Sequence, residues 1–392
     1  MVERRKGRPI YLDNHATTPV DPRVLDAMLP YFKERFGNPH SASHFYGWEA
    51  AEAVEMAREQ VARLIGADTD EIIFTSGATE SNNLALKGVA RFYRSRKNHV
   101  VSCVTEHMCV LDSLFHLEKE GTRVTYLRVK PDGLIDLDEL ERAITDDTAL
   151  VSIMAVQNEN GVIQPIGDIG ALCRSKGAFL HTDAAQAAAK IALDVKAMQI
   201  DLLSLTAHKM FGPMGIGALY VGKRPRVRLE PLFSGGGQEK NLRSGTLPAP
   251  LVVGLGSACA IGQAEMSDEA VRIGGLRERL LGRLYAIGDV HINGAMAPRV
   301  PGNLNVSVEG CRAEDLMTAT PDLAFSSGSA CTSVSEESSY VLRALGLSND
   351  MAESSLRFGI GRFTTADEID YASERLAEEI GKVRAARARA AE

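Results

Sequence analysis

The chain has little cysteine and no long apolar run, and each scarcity removes a class of protein. Its 6 cysteines are scattered through 392 residues without a Cys-x-x-Cys pair. Neither a disulfide framework nor a zinc-type spacing is therefore expected. No stretch approaches the roughly 20 apolar residues of a membrane helix. The basic Arg4-Arg5-Lys6 near the start has no apolar core behind it, which argues against a secretory signal and for a cytoplasmic protein. With a net charge of −7 there is no basic field to suggest nucleic acid or an anionic membrane as a partner. The sequence also lacks an internal repeat and a low-complexity linker.

What remains is an ordinary globular composition, 45% hydrophobic and 24% charged, in a chain long enough for two domains. Asp21-Pro22 predicts a helix running to Gly37, with Val24, Met28 and Phe32 on one face, and residues 44–65 continue the helical rhythm. Short runs rich in Val, Ile and Leu then alternate with helical ones. Strands are expected at 72–75, 100–104, 124–129, 150–156, 178–182, 201–205 and 216–221, with helices near 79–90, 107–120, 137–144 and 168–176. Such alternation predicts an α/β fold whose large, mostly parallel sheet is covered on both faces. After about residue 260 the pattern changes to a long helix at 267–287, strands at 304–308 and 356–360, and a final helix striped by Ile369, Leu376, Ile380 and Val383. The expected division is a large domain over 15–262 and a smaller α+β domain from 1–14 and 263–392.

Three stretches carry chemistry. In Phe74-Thr75-Ser76-Gly77-Ala78-Thr79-Glu80-Ser81 a strand ends, small residues turn the chain and a helix opens at about Thr79. Backbone N–H groups there suit a phosphate, although an ordinary βα turn reads the same way, and no Gly-Lys-Ser/Thr makes it a P-loop. Asp183 stands at the end of a buried strand in Phe179-Leu180-His181-Thr182-Asp183, as a ligand at a sheet end or as a helix cap. Lys209 follows an apolar strand in Ser204-Leu205-Thr206-Ala207-His208-Lys209, and burial makes a lysine amine nucleophilic towards an aldehyde. Together they form the set pyridoxal phosphate requires: a phosphate anchor, a partner for the pyridinium nitrogen and an amine. Cys331 lies among small polar residues on an expected loop at about 326–337, the surroundings of a working thiol. Cys103, Cys173 and Cys259 sit in apolar runs and read as packing, whereas Cys109 and Cys311 stay unassigned.

With these residues in hand, the chain resembles the NifS/IscS-type cysteine desulfurases, class V-like enzymes of the fold-type I pyridoxal-phosphate group. The likeness runs from Tyr11-Leu12-Asp13-Asn14-His15-Ala16-Thr17-Thr18-Pro19 through Gly37-Asn38-Pro39, Thr105-Glu106-His107, Gly235-Gly236-Gly237-Gln238-Glu239 and Arg243-Ser244-Gly245-Thr246 to Arg357-Phe358-Gly359-Ile360-Gly361-Arg362-Phe363. It implies that Lys209 holds the cofactor, that His107 stacks on its ring and moves protons, and that Asp183 pairs with its ring nitrogen. Asn158 and Gln186 would contact the ring and its phenolic oxygen; Ala78, Thr79, Thr206 and His208 would hold the phosphate. Thr246 would reach the phosphate of a partner subunit, implying a homodimer, and Asn38 and Arg357 would bind the substrate carboxylate. L-cysteine would become L-alanine, with the sulfur passing as a persulfide on Cys331 to an iron–sulfur scaffold or tRNA-thiolation protein. No metal is implied, nor any direct contact with nucleic acid or membrane.

The chain departs from the family pattern at Gln157, Asn160, Met214 and Gly359. Selenocysteine lyase, or another pyridoxal-phosphate reaction on the same fold, stays open as an alternative. So does a non-catalytic docking subunit in sulfur transfer, although such a protein would be expected to have lost Lys209, Asp183 or Cys331. A metal site from His99, Cys103, His107 and Cys109 fits no zinc spacing.

Overall fold

The computed structural model describes residues 7–327 and 338–391. Its main sheet has seven strands: β1 (Ile72–Thr75), β2 (His99–Cys103), β3 (Arg123–Leu127), β4 (Thr148–Ser152), β5 (Phe179–Asp183), β6 (Leu202–Thr206) and β7 (Gly217–Val221). They lie in the order β1-β7-β6-β5-β4-β2-β3. Pairing is parallel from β6 to β3, while β7 runs antiparallel to both of its neighbours. Only the edge strand β3 alternates in exposure; β1, β2, β4, β6 and β7 are buried throughout. Burial on both faces is why these strands read as continuous apolar runs.

Each face has its own apolar layer. On one side Leu84, Leu86 and Val89 of the helix Ala78–Tyr93 join Val110, Leu114 and Leu117 of the helix Met108–Lys119. On the other, Val54, Ala57 and Val61 of Phe45–Ile65 pack with Ile169 and Cys173 of Ile166–Lys176. A separate cluster unites Ile10, Leu12, Leu304, Val306, Leu356, Phe358, Ile369, Leu376 and Ile380 around a four-stranded antiparallel sheet. In that sheet Asn303–Val308 pairs with Ser355–Gly359 and Val290–Ile292.

Two helical expectations are corrected. The helix expected from Asp21 to Gly37 is cut into Pro22–Met28 and Pro30–Lys33, because Pro30 has no N–H with which to continue the ladder. Val24 and Met28 stay buried while Phe32 turns outward. The long helix expected at 267–287 instead spans Ala249–Tyr285. Its first half lacks a stripe of large apolar side chains, since Gly254, Gly256 and Gly262 permit close packing on Met28, Ala57 and Ala189. That half contributes Val252, Leu255 and Cys259 to the core of the large sheet. The second half contributes Leu276, Leu280 and Leu284 to the smaller cluster.

Candidate active site

The carboxyl ends of β1, β5 and β6, with the connections after β2 and β4, open into one cleft of about 550 Å³. Sheet ends are where open α/β folds bind ligands, because several loops converge there. The cleft brings together Ala78, Thr79, His107, Asn158, Asp183 and Gln186. It also contains Thr206, His208, Lys209 and Arg357. Asn38 lies elsewhere, on an exposed stretch where its Oδ1 accepts from the His40 amide at 3.0 Å. Thr246 is exposed and is not among the lining residues. Cys331 lies outside the described residues.

The phosphate-ready end forms where β1 turns into the helix Ala78–Tyr93. Gly77 takes φ 152° and ψ 179° at the helix cap, a conformation essentially reserved for glycine. The first-turn amides beyond it have no acceptor within the helix. Thr206 closes on this turn: a Cβ on Gly77 would lie 3.6 Å from its Oγ1. His208 Nδ1 lies 3.1 Å from Thr17 Oγ1. Burial, with Lys209 and Lys190 nearby, brings the His208 imidazole down to about 4, so it is neutral at physiological pH.

Asp183 is a buried carboxylate held by neutral donors. The Ala185 amide donates to Oδ1 at 2.8 Å and Asn82 Nδ2 to Oδ2 at 2.6 Å. Among the described residues no cation forms an ion pair with it. A buried carboxylate in that condition fits a protonated ring nitrogen. Lys209 sits in the turn after β6, its Nζ donating to the carbonyls of His15 (2.5 Å) and Ala16 (2.7 Å). Phe211 holds that turn in the left-handed region at φ 65°, its amide donating to Thr18 Oγ1 and its ring packing on Phe363 and Arg362. An amine, a carboxylate awaiting a cation and a glycine-capped helix start in one cleft fit pyridoxal phosphate.

Arg357 enters from the smaller sheet. Its Nη2 donates to Asp13 Oδ1 at 2.9 Å and its Nη1 to the Asn158 carbonyl at 3.3 Å. Among the described residues its Nε has no partner, which leaves a donor for an incoming carboxylate.

Several contributors were not legible as site residues. Cys109 lies in the cleft, and its backbone N–H donates to His107 Nδ1 at 3.2 Å. Since Nδ1 therefore accepts, the Cys109 thiol 3.0 Å away donates too, and the imidazole proton rests on Nε2. Asn82 Nδ2 also reaches Cys109 Sγ at 3.2 Å, which joins Asp183 to His107 through two neutral side chains. Cys103, Cys173 and Cys259 are buried packing residues, and so is Cys311. Among the described residues no group of three or more His, Cys, Asp or Glu could hold a metal ion; His99 is bound to Thr148 and Thr125.

The departures from the family pattern have structural roles. Gln157 Oε1 accepts the amides of Glu159 (2.5 Å) and Asn160 (3.1 Å), and Asn160 Oδ1 accepts that of Val162, so both shape the turn carrying Asn158. Met214 lines the cleft and is exposed. A Cβ on Gly359 would fall 2.6 Å from the Asn14 nitrogen and 2.7 Å from that of His15. The missing side chain therefore admits the segment that meets Lys209.

This fold and cleft define a fold-type I pyridoxal-phosphate enzyme. The pattern of the aminotransferase class-V family matches residues 10–372, and the chain belongs to that family. Cysteine desulfurase IscS of Rickettsia rickettsii is 57% identical over 378 residues, covering 96% of this chain and 92% of the relative. A solved NifS-like protein superposes with a TM-score of 0.89 at 36% identity, covering 95% of this chain and 99% of the other. A structure described as SspA in complex with cysteine gives 0.81 at 39% identity, covering 91% and 99%. No helix among the described residues is long and apolar enough to cross a membrane.

Proposed function

We propose that this chain is a cysteine desulfurase that converts L-cysteine to L-alanine and carries the sulfur as a persulfide on Cys331. The observation that carries it is one cleft holding Lys209, Asp183, the Gly77 helix start and Arg357, in a chain 57% identical to a cysteine desulfurase. When bound, pyridoxal phosphate supplies a sink for charge developing at the substrate Cα. Lys209 holds the cofactor and then takes the Cα proton. Asp183 keeps the ring nitrogen protonated, and the Ala78 and Thr79 turn, with Thr206 and His208, holds the phosphate. Asn158 and Gln186 contact the ring and its phenolic oxygen. His107, with Nδ1 occupied by Cys109, offers Nε2 to the reacting atoms. Arg357 takes the substrate carboxylate. The Cys331 thiolate attacks the substrate sulfur: the S–S bond forms as C–S breaks, the electron pair passes to carbon, and protonation there completes alanine.

The assembly is a homodimer, in which Thr246 reaches the partner's phosphate site and Asn38 completes the carboxylate site. Support comes from an exposed aromatic cluster in which Phe36 stacks on Tyr46 at 5.4 Å and Phe45 meets the same ring edge-on at 6.3 Å. The protein works in the cytoplasm and passes sulfur to a protein acceptor, an iron–sulfur scaffold or a tRNA-thiolation protein. Its two domains divide at 262/263, within the helix that serves both apolar clusters. The test is to incubate the holoenzyme with L-cysteine and a reductant and measure alanine and sulfide together. Equal amounts support desulfuration; bound cofactor with neither product refutes it.

A further inference from the structure

His15 grips the Gln186 amide at both ends. Gln186 Nε2 donates to the His15 carbonyl at 2.9 Å, and a carbonyl only accepts, so the nitrogen of the amide is identified by its partner. The other end is then the oxygen, which also only accepts. His15 Nδ1, 2.9 Å from Oε1, must carry the imidazole proton, and Lys190 Nζ donates to the same oxygen at 2.9 Å. The Gln186 oxygen thus has two donors, while one N–H of Nε2 remains for the cleft that Gln186 lines. Burial, with Lys190 and other cations nearby, keeps the His15 imidazole neutral, consistent with this tautomer.

His15 can stand here because residue 359 lacks a side chain. The Asn14 amide donates to the Gly359 carbonyl at 3.1 Å, and a Cβ on Gly359 would lie 2.7 Å from the His15 nitrogen. Among the described residues His15 Nε2 is buried without a hydrogen-bond partner, so the ring is held through Nδ1.

We propose that His15 and Lys190 are positioning residues that lock the Gln186 amide so that it presents an N–H, and not its carbonyl, to the phenolic oxygen of the cofactor. This rests on Gln186 being the contact to that oxygen. A phenolate only accepts, so a flipped amide would meet it with a like-charged oxygen.

The test uses apoprotein and 4′-deoxypyridoxine 5′-phosphate, which keeps the phenolic oxygen but has no aldehyde for Lys209 to capture. Calorimetry gives its Kd for the wild type and for Gln186→Ala, Lys190→Met, His15→Ala, His15→Asn and the double variant Lys190→Met/Gln186→Ala. Gln186→Ala should weaken binding about tenfold, the loss of one hydrogen bond to a charged group. Lys190→Met and His15→Ala should each lose about threefold to tenfold, and His15→Asn, which keeps a side-chain donor, should recover most of it. The double variant should bind no more weakly than Gln186→Ala alone, since Lys190 acts through Gln186. In the holoenzymes, the pH midpoint of the visible absorption should move in the same direction in Lys190→Met as in Gln186→Ala. Additive losses in the double variant, or wild-type binding and midpoint in both Lys190→Met and His15→Ala, would overturn the lock. Wild-type values in Gln186→Ala would instead remove the Gln186 contact on which the lock depends. Thermal unfolding of each apo variant separates these effects from loss of the fold.

Discussion

The cleft has two walls of different origin. One is the large sheet, whose strand ends and the turns directly after them carry Thr79, Asp183, Thr206 and Lys209. The other is the segment Asp13–Thr18 with Arg357, which meet across 344 positions of sequence. The sheet wall offers a cradle, a carboxylate and an amine, the needs of a cofactor. The segment wall offers a forked cation and backbone carbonyls, which restrain Lys209 and await a carboxylate. On the proposed roles, most of the cofactor chemistry and the recognition of the substrate carboxylate fall to separate parts of the chain, and variants in each should fail in different ways.

The largest difference is expected at Lys209. Lys209→Ala should abolish alanine and sulfide formation and the visible band of the lysine-bound cofactor; a retained band would shift the anchoring amine elsewhere. On the other wall, Arg357→Ala should keep the cofactor at wild-type affinity while kcat/KM for L-cysteine falls about a hundredfold to a thousandfold. Loss of cofactor in that variant would break the division between the walls.

A stability effect should mark the sheet wall. Glu239 is buried against Arg58, with Nη1 to Oε2 at 2.8 Å and Nη2 to Oε1 at 2.9 Å, and also accepts the Phe74 amide of β1. Glu239→Ala leaves the Arg58 cation buried and should cost about 3–5 kcal/mol in urea unfolding. An effect under about 1 kcal/mol would show that this strand end is held by packing alone.

The smallest effect concerns the junction of the walls, where Ser339 Oγ donates to Glu159 Oε2 at 2.5 Å. Burial raises the Glu159 carboxyl from 4.5 to about 7. A raised carboxyl favours the fold while protonated in it, and that contribution is lost as pH rises from the unfolded value through the folded one. Apoprotein stability should therefore fall between about pH 5 and about pH 8, by up to roughly 3 kcal/mol from this group. Glu159→Gln should flatten that slope in thermal unfolding; an unchanged slope would assign it to other groups.

The same contrast explains what could be read in advance. The order of strands and helices and the turns holding Ala78, Asp183 and Lys209 were legible because apolar periodicity and turn chemistry are local. The unbroken helix from Asp21 to Gly37 misread Pro30, and the late start assigned to Ala249–Tyr285 misread glycines chosen for close contact. Cys109 could not be assigned because its meaning depends on the nitrogen of His107 that it faces. His15 carried no signal of its contact, since 171 positions separate it from Gln186.

By itself the sequence determined a doubly covered α/β sheet and the chemical types at its strand ends. Backbone preference and burial pattern act over a few residues and survive without knowledge of the partners. Only the tertiary structure decided that Asp13 holds Arg357, that Gly359 admits His15, and that His15 and Lys190 meet on one amide oxygen. Those contacts exist because separate strands and segments close on one another, and hydrogen bonds discriminate among partners only at distances that packing sets.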